Sequence, residues 1–399
     1  VQRAPFFCSG CPHNRSTKVP ENSYSMAGIG CHGMASYLRP NMILPAQMGG
    51  EGSNWIGLSP FTKMQHIFQN MGDGTYYHSG LLAIRAAVAA KINITYKILY
   101  NDAVAMTGGQ PHDGPLSVPE IAHQVLHEGV KTCVIVTDDK QKYRRQDLLP
   151  TGVDVWHRDQ LDKIQKDLRD TAGCTVLIYE QTCAAEKRRR RKRGEFSDPP
   201  KRVYINDAVC EGCGDCSVKS NCVSVTSMET PYGRKRKIDQ SSCNKDYSCA
   251  SGFCPSFVSV YDAQPKKPSA RTLDNRVFSK LPVPQPVKMP VNGYGVMIAG
   301  IGGAGVVTVG AVLGMAAHLE NKGSSIFDMT GLSQKNGAVY SQLQIANSPD
   351  NLTTQRLGPG EANLMLAFDL IAACADQSVR SIEYEQTWVV GNGRVLPTA

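Results

Sequence analysis

Seven cysteines and one aspartate between residues 210 and 254 stand at spacings that suit iron–sulfur clusters. Two runs of the Cys-x2-Cys-x2-Cys type, the second with Asp246 in its middle position, are each closed by a more distant cysteine. This arrangement lets one loop cap most of a cluster while the last ligand comes from the other run. In this crossed pattern the first cluster has four thiolate ligands, Cys210, Cys213, Cys216 and Cys254. The second has three thiolates and one carboxylate, Cys222, Cys243, Cys249 and Asp246. The spacing therefore predicts an electron-transfer module.

Asp246 leaves the type of the second cluster open. A carboxylate is a harder and weaker ligand for iron than a thiolate. The site is therefore expected to hold either an aspartate-ligated [4Fe–4S] cluster or a [3Fe–4S] cluster. For the whole cysteine-rich run, scattered structural thiols or a zinc ribbon are the alternative.

A second kind of chemistry is indicated by Gly72-Asp73-Gly74-Thr75 and by Asn101. Together they resemble the thiamine-diphosphate signature, in which an asparagine follows GDG at the end of the next strand. The glycines let the backbone approach the diphosphate, while Asp73 and Asn101 offer oxygen atoms to Mg²⁺. The signature implies that the carbonyl of Ala103 completes the protein ligands. The alternative is a plain turn and a surface asparagine.

A third cluster site is predicted from cysteines in the first half of the chain. Cys8, Cys11 and Cys31 supply three thiolates, and Cys183 follows the last predicted strand of the same domain. That position is at the carboxyl ends of the strands, on the side of the diphosphate site. We infer a [4Fe–4S] cluster, because a cofactor that generates electrons needs a nearby acceptor; a structural zinc is the alternative. The three cysteines left over lie in apolar runs typical of buried thiols, Cys133, Cys174 and Cys374.

Alternating strands and helices must position these residues. Apolar runs predict buried parallel strands over 92–100, 132–137 and 175–179. Helical patterns cover 81–91 and 118–128, and Ser117 with Glu120 makes a capping box at the start of the second. A strand over 296–299, a glycine-rich turn and a helix from Val306 to about Leu319 open a second α/β unit.

A basic run and a proline-rich run divide the chain into five segments. We expect a thiamine-diphosphate-binding α/β domain with a parallel sheet, a basic linker, a two-cluster α+β module, a proline-rich linker and a second, incomplete α/β domain. Their bounds are 1–186, 187–200, 201–262, 263–291 and 292–399. Because the chain starts at Val1 rather than Met and stops in an unfinished domain, we expect a fragment lacking N-terminal and extreme C-terminal parts.

The composition of the 399 residues bears on the binding partners and the location of the protein. The formal charge is +8, but the seven consecutive basic residues at 187–193 supply nearly all of it, which gives little support to nucleic-acid binding. That basic run is interpreted either as a dock for an acidic ferredoxin or as a solvated linker. Nothing resembles a signal peptide or a membrane span, so the 14 cysteines point to a reducing, cytoplasmic location and not to disulfides.

The motifs together resemble those of indolepyruvate:ferredoxin oxidoreductases, in the bacterial form that fuses both subunits. Beyond the cysteine module and the stretch at 299–306, the matching motifs are Cys-Ser-Gly-Cys-Pro-His-Asn-Arg at 8–15, Met-Gly-Gly-Glu-Gly at 48–52, Gly-Asp-Gly-Thr-Tyr-Tyr-His-Ser-Gly at 72–80 and Met-Thr-Gly-Gly-Gln-Pro-His at 106–112. The resemblance covers essentially the whole chain. It departs at Asp246, and in lacking the family's other thiamine domain, which carries the activating glutamate.

The resemblance implies oxidative decarboxylation of 2-oxoacids, with aryl or branched pyruvates as substrates, coenzyme A as acyl acceptor and ferredoxin as electron acceptor. It implies that Thr107, Gly108 and Gln110 line the diphosphate, and that His78 and His112 are candidate catalytic groups over the substrate. An ordinary surface or hydrogen-bonded histidine is the alternative at both positions. A homo-oligomer of the full-length chain is also expected, and this segment alone is not expected to turn over.

Two other functions compete with this reading. Gly300-x-Gly302-Gly303-x-Gly305 after a strand resembles a dinucleotide fingerprint, which would suit an NAD-linked iron–sulfur oxidoreductase. Its weakness is the acidic partner, because Glu320 falls on a predicted helix and not at a strand end. In the family the same turn would cradle an anionic group, and 331–337 would be a loop facing the active site. The third class is a non-catalytic electron-transfer module.

Overall fold

A computed structural model describes residues 6–112, 114, 116–144, 148–264, 281, 282, 285, 288–331 and 337–393. The chain divides into two units, one over Pro5–Tyr261 and one over Asp262–Thr398. Most of the proline-rich segment 263–291 and of the loop 331–337 lies outside the described residues.

A seven-stranded sheet forms the centre of the first unit. Its strands are β1 Ser25–Met26, β2 Met42–Ile43, β3 Ile67–Gly72, β4 Ile94–Tyr100, β5 Thr132–Thr137, β6 Asp154–His157 and β7 Cys174–Glu180. They lie in the order β2-β1-β3-β4-β7-β5-β6, and all neighbours are parallel. The expected parallel α/β domain is therefore confirmed. The carboxyl ends of β3, β4 and β7, which are adjacent strands, meet at one edge of the sheet.

Helices cover the sheet on both faces. Side chains of β4 and β7 alternate between two cores, so that Ile98 and Ile178 pack on one face and Leu99 and Leu177 on the other. The helices are α1 His13–Ser16, α2 Ser53–Leu58, α3 Asp73–Thr75, α4 Leu81–Ala89, α5 Val118–His127, α6 Leu161–Arg169 and α7 Ala184–Arg193. Shorter turns are the 3-10 segments Cys31–Tyr37, Ser59–Phe61, Ala105–Thr107, Lys140–Tyr143 and Arg158–Gln160 and the π segment Tyr76–Gly80. The predicted capping box of Ser117 and Glu120 is formed at the start of α5.

The basic run differs from the predicted linker. Residues 187–193 belong to α7, which begins directly after Cys183 and ends at Gly194 in the left-handed conformation. Their charges are compensated by partners far along the chain. The Arg188 guanidinium donates to the carbonyls of Ser241 and Ser242, and Lys187 pairs with Asp138 at 3.2 Å. The run is thus helical and braced against its surroundings.

The cysteine-rich part of the first unit is built from two small antiparallel pairs. β8 Lys201–Ile205 pairs with β11 Phe257–Tyr261, and β9 Val225–Thr230 pairs with β10 Gly233–Ile238. The helix α8 Asp215–Ser220 and the 3-10 turn Ser248–Ala250 lie between these strands in sequence. The buried core contains few residues other than cysteines, mainly Val203, Ile205 and Ile238. Cores of this size usually depend on bound metal or covalent cross-links.

The second unit is a five-stranded mixed sheet in the order β13-β14-β12-β15-β16. Its strands are β12 Tyr294–Ile301, β13 Gly323–Thr330, β14 Ala338–Ala346, β15 Ala362–Ala367 and β16 Trp388–Gly391. Its helices are α9 Val306–Leu319, α10 Leu370–Ala373 and α11 Asp376–Val379, with a 3-10 turn at Pro349–Asn351. β12 is antiparallel to β14 and parallel to β15. The predicted strand and helix of this unit are confirmed at β12 and α9.

In the part of the chain that the structure describes, every helix is too short or too polar to cross a bilayer.

Candidate cofactor and cluster sites

Asp73 ties the ends of two neighbouring strands together. It follows Gly72, the last residue of β3, and its side chain is buried. Its Oδ2 accepts hydrogen bonds from the N–H groups of Asn101 at 2.8 Å and Asp102 at 2.9 Å, just beyond β4. Its Oδ1 accepts from the N–H of Gly74 at 3.0 Å. The sequence-predicted pair of Asp73 and Asn101 is therefore brought together.

Asn101 supplies an acceptor that suits a metal ion. Its Oδ1 is buried and has no hydrogen-bond partner among the described residues. Buried polar atoms are normally satisfied, so an orphaned oxygen needs an explanation. Ala103 is buried two residues on, and the carboxylate of Asp73 has lone pairs beyond those its backbone partners use. Hard oxygen donors of this kind fit Mg²⁺.

The loop after Asn101 folds back on itself. The N–H of Val104 donates to the carbonyl of Gln110 at 2.8 Å, which closes the turn that carries Thr107 and Gly108. The side chains of Thr107 and Gln110 are exposed on the rim of this turn. Gly109 has φ +85°, and a Cβ there would overlap Arg189 and Glu186 of α7. The loop is thus held closely against the basic helix.

The two predicted catalytic histidines have different surroundings. His112 lies at the Asp73 site, with its Nε2 3.5 Å from Oδ1 of Asp73 and its side chain largely buried. His78 is exposed on the π segment, and its Nδ1 lies 2.9 Å from the hydroxyl of Ser79. The structure therefore joins His112, but not His78, to Asp73.

Sequence reasoning missed two buried histidines beside the same site. The rings of His13 and His32 lie 5.6 Å apart, and a Cβ on Gly72 would come within 3.3 Å of His32. Burial lowers the pKa of His13 to about 4, against the opposing charge of Asp73. Burial, and then His13, lowers the pKa of His32 to about 3. Both rings are neutral at neutral pH, and the only signal in the sequence is that each stands next to a cysteine motif.

The four cysteines of the predicted third cluster lie within electrostatic reach of one another. Burial raises the pKa of the Cys11 thiol well above its usual range, and the nearby Cys8 and Cys183 raise it further. Burial, and then Cys183 and Cys8, raises the pKa of Cys31 to about 12. The N–H of Cys183 donates to the carbonyl of Asn101 at 2.9 Å. Thiols that raise one another's pKa in this way favour a bound cation or cluster that replaces their protons.

The cysteines predicted to hold the first cluster of the cysteine-rich part line one cavity. This cavity has a volume of about 330 Å³, and Cys249, Phe253 and Arg236 also line it. Cys213 and Cys254 are exposed, so this site opens to solvent at one side.

The thiols of the second cluster are also brought together. Burial, and then Cys222 and Cys243, raises the pKa of Cys249 to about 12. The N–H of Lys245 donates to the sulfur of Cys243 at 3.5 Å. Asp246, predicted to be the remaining ligand, has other partners: Arg158, Gln181 and Ser248 all donate to its carboxylate.

The remaining cysteines agree with the sequence in two of three positions. Cys133 and Cys174 are buried, as predicted, but Cys374 is exposed. Cys374 ends the short helix α10, where an apolar run reaches the surface. Among the described residues, no three His, Cys, Asp or Glu side chains form a ready-made site for a single metal ion.

The glycine-rich turn of the second unit follows β12, as predicted. A Cβ on Gly300 would overlap Val306 and Phe368, so glycine is required for packing there. Gly303 and Gly305 have φ of +89° and +85° and open space around them. Glu320 caps the carboxyl end of α9 and is exposed, so it does not stand at a strand end as a ribose-binding acid would.

Two protein-family models match the chain. Residues 28–135 match the thiamine pyrophosphate enzyme, C-terminal TPP-binding domain, a range that contains Asp73 and Asn101. Residues 295–397 match the pyruvate ferredoxin/flavodoxin oxidoreductase family, a range that contains the turn at Gly300.

Several curated proteins are similar to the chain. Indolepyruvate oxidoreductase subunit IorA of Thermococcus kodakarensis is 27% identical over 273 residues, covering 63% of this chain and 40% of that protein. IorA of Methanothermobacter marburgensis is 32% identical over 127 residues, covering 28% of this chain and 20% of that protein. Subunit IorB of Methanothermobacter thermautotrophicus is 27% identical over 104 residues, covering 26% of this chain and 50% of that protein. The chain thus spans two fifths or less of the two IorA subunits.

Proposed function

We propose that this chain belongs to the 2-oxoacid:ferredoxin oxidoreductase family and that its full-length parent oxidatively decarboxylates 2-oxoacids with thiamine diphosphate. The proposed substrates are aryl pyruvates such as indolepyruvate, the acyl acceptor is coenzyme A, and the electrons pass to ferredoxin. The observation that carries the proposal is the double use of Asn101. Its orphaned Oδ1 suits the metal of the cofactor, and its carbonyl binds the N–H of Cys183, a thiol of the nearest proposed cluster.

Residues at the ends of β3 and β4 are proposed to hold the cofactor. Asp73, Asn101 and the carbonyl of Ala103 would bind the Mg²⁺ that accompanies the diphosphate. The backbone at Gly72, Gly74 and Thr75 and the turn at Thr107, Gly108 and Gln110 would line the diphosphate. When bound, thiamine diphosphate supplies the electron sink that lets CO₂ leave a 2-oxoacid.

Two histidines near Asp73 and Gly72 are proposed to take different parts in the reaction. His112 lies beside Asp73 and is proposed to hold or move a proton at its ring nitrogens over the substrate. His32, buried against Gly72, keeps its ring neutral and excludes water from this end of the sheet. His78, on the exposed π segment, is retained as a candidate for the outer part of the substrate site.

Contacts of the loop 8–11 with the cysteine-rich part support an order for electron transfer. The hydroxyl of Ser9, in the loop 8–11, lies 3.3 Å from the sulfur of Cys222, and the amide of Asn244 donates to the carbonyl of Ser9 at 2.8 Å. The loop that carries Cys8 and Cys11 therefore contacts the Cys222 group. We propose that the Cys8, Cys222 and Cys210 groups would each hold a cluster, and that electrons would pass along them in that order.

The Cys210 group is the proposed exit to ferredoxin. Cys213 and Cys254 are exposed, and Phe253 beside them is 91% exposed. An exposed thiolate site flanked by an apolar side chain is accessible to an external acceptor.

The test is an anaerobic assay of the full-length parent with thiamine diphosphate, Mg²⁺ and coenzyme A. Viologen or ferredoxin reduction would be followed with indolepyruvate, phenylpyruvate, pyruvate and 2-oxoglutarate. Reduction that requires both coenzyme A and an aryl pyruvate is the expected result. An iron-loaded protein that reduces nothing with any of these acids would overturn the proposal.

A further inference from the structure

Asp246 stands where the cysteine spacing puts an iron ligand, yet its carboxylate is occupied. The Nη1 of Arg158 lies 2.5 Å from Oδ1, and the Nε2 of Gln181 donates to the same oxygen at 2.9 Å. The hydroxyl of Ser248 donates to Oδ2. The Nη2 of Arg158 also donates to the main-chain carbonyl of Asp246 at 2.8 Å. Side chain and main chain are thus held by one guanidinium.

These partners belong to the cofactor-binding sheet and not to the cysteine-rich part. Arg158 follows β6, and Gln181 follows β7, both at the carboxyl edge. The loop 8–11 also packs against Asp246, because a Cβ on Gly10 would lie 3.0 Å from the Cβ of Asp246. Asp246 is therefore at the point where the sheet, the proximal cysteine loop and the cysteine-rich part meet.

Burial makes this arrangement costly to undo. The side chains of Arg158 and Asp246 are 13% and 14% exposed. Turning the carboxylate towards iron would leave the guanidinium buried without its counter-charge, a strongly unfavourable state. Thiolate, moreover, is the better ligand for iron, and the three cysteines already converge without the aspartate.

We propose that Asp246 is a docking residue and not an iron ligand, and that the site of Cys222, Cys243 and Cys249 holds a three-thiolate [3Fe–4S] cluster. This inference rests on the proposed function, which supplies the clusters. It assigns the middle position of the electron path to a cluster that differs from its two neighbours. In this proposal Asp246 also fixes the distance between that cluster and the cluster of the Cys8 group.

The test uses the full-length protein, purified anaerobically, with electron paramagnetic resonance and iron analysis. An oxidised [3Fe–4S] cluster has an odd number of unpaired electrons and gives a signal, whereas an oxidised [4Fe–4S] cluster is silent. We expect a signal from the oxidised wild type, and one iron atom fewer per chain than three cubanes would hold. Asp246→Asn and Arg158→Gln should keep the same signal.

Hydrogen exchange of the amides in 241–250 separately measures how firmly Asp246 is held against the cofactor-binding sheet. Both variants should raise the exchange rate there at least about tenfold, and the double variant should add little because the residues act as a pair. Glu229→Gln, which removes an exposed ion pair with Arg234 in the β9–β10 hairpin, is the matched control and should change neither readout.

Two results would overturn the inference. An iron-loaded wild type that is silent when oxidised would exclude the [3Fe–4S] cluster. An altered signal in Asp246→Asn with an unaltered one in Arg158→Gln would make the aspartate a ligand. Protein that binds thiamine diphosphate but never acquires iron would instead remove the clusters of the proposed function, and this inference with them.

Discussion

Arg190 holds Asp102 at two points. Its Nη1 lies 2.5 Å from Oδ2 of Asp102, and its Nη2 donates to the Asp102 carbonyl at 3.1 Å. Asp102 has φ +60° and stands between Asn101 and Ala103, the two proposed metal ligands beyond β4. The helix α7 thus holds the backbone at Asp102 in the left-handed conformation, which few residues other than glycine adopt.

Removing this clamp should weaken cofactor binding. We expect Arg190→Gln to lower the affinity for thiamine diphosphate and Mg²⁺ by about 3- to 10-fold, or about 1 kcal/mol, because the pair is partly exposed. Calorimetric titration of the full-length protein measures it. Arg193→Gln, on the same helix but paired with Glu195, should bind as the wild type does. Equal losses in both variants would mean that only the charge of the helix matters.

Asp73 is predicted to be needed for the cofactor but not for the clusters. Asp73→Asn removes the charge that binds the metal and weakens acceptance of three backbone N–H groups, so thiamine affinity should fall more than about 100-fold. The iron content and the visible absorption of the clusters should stay at the wild-type level. The exposed Asp154→Asn is the control. Retained thiamine binding in Asp73→Asn would show that the metal site lies elsewhere.

Cys183 is predicted to be a ligand of the third cluster and of neither cluster in the cysteine-rich part. Cys183→Ser should lower the iron content by one cluster and abolish ferredoxin reduction, while the clusters of the cysteine-rich part stay reducible by dithionite. The exposed Cys374→Ser should leave the iron content unchanged. Iron analysis with zinc analysis in the same samples decides the matter. A loss of zinc in place of iron would assign the site to structural zinc.

His66 should make the sheet sensitive to acid. Burial, and then the charge of Arg169, lowers its pKa to about 4, whereas an unfolded histidine has a pKa of about 6.5. The unfolded state therefore binds more protons, so stability is lost as the pH falls from about 6.5 to about 4 and is complete above that window. The loss should be about 1–3 kcal/mol.

Hydrogen exchange of the amides in β3 and β4 measures this loss. His66→Asn, which does not titrate but retains a polar group for the hydroxyl of Thr95, should flatten the pH dependence in that window. His123→Asn, on the exposed side of α5, should not. Equal pH profiles in the wild type and His66→Asn would contradict the prediction.

Local signals made much of the fold predictable. The helix α9 was bounded by a glycine turn and an apolar run, and α5 by its capping box, so both starts were fixed by neighbouring residues. Strands β4, β5 and β7 were long apolar runs. The short strand β1 had no such pattern, because its burial comes from neighbours distant in sequence.

The same limit applied to the candidate site. Asp73 and Asn101 followed from their spacing, and so did the cysteine groups. The partners of Asp246 and of the basic helix did not, because Arg158 and Asp102 each lie 88 residues from the side chain they bind. A charged run therefore looked like a solvated linker, and an aspartate at ligand spacing looked like a ligand.

The two roles of Asn101 have a consequence for observing the enzyme. A displacement of its side chain on binding the metal would pass through its carbonyl to the N–H of Cys183. Hydrogen bonds around the sulfurs tune the potential of an iron–sulfur cluster. A cluster bound at Cys8, Cys11, Cys31 and Cys183, as proposed, would therefore report cofactor binding in its spectrum before any substrate binds.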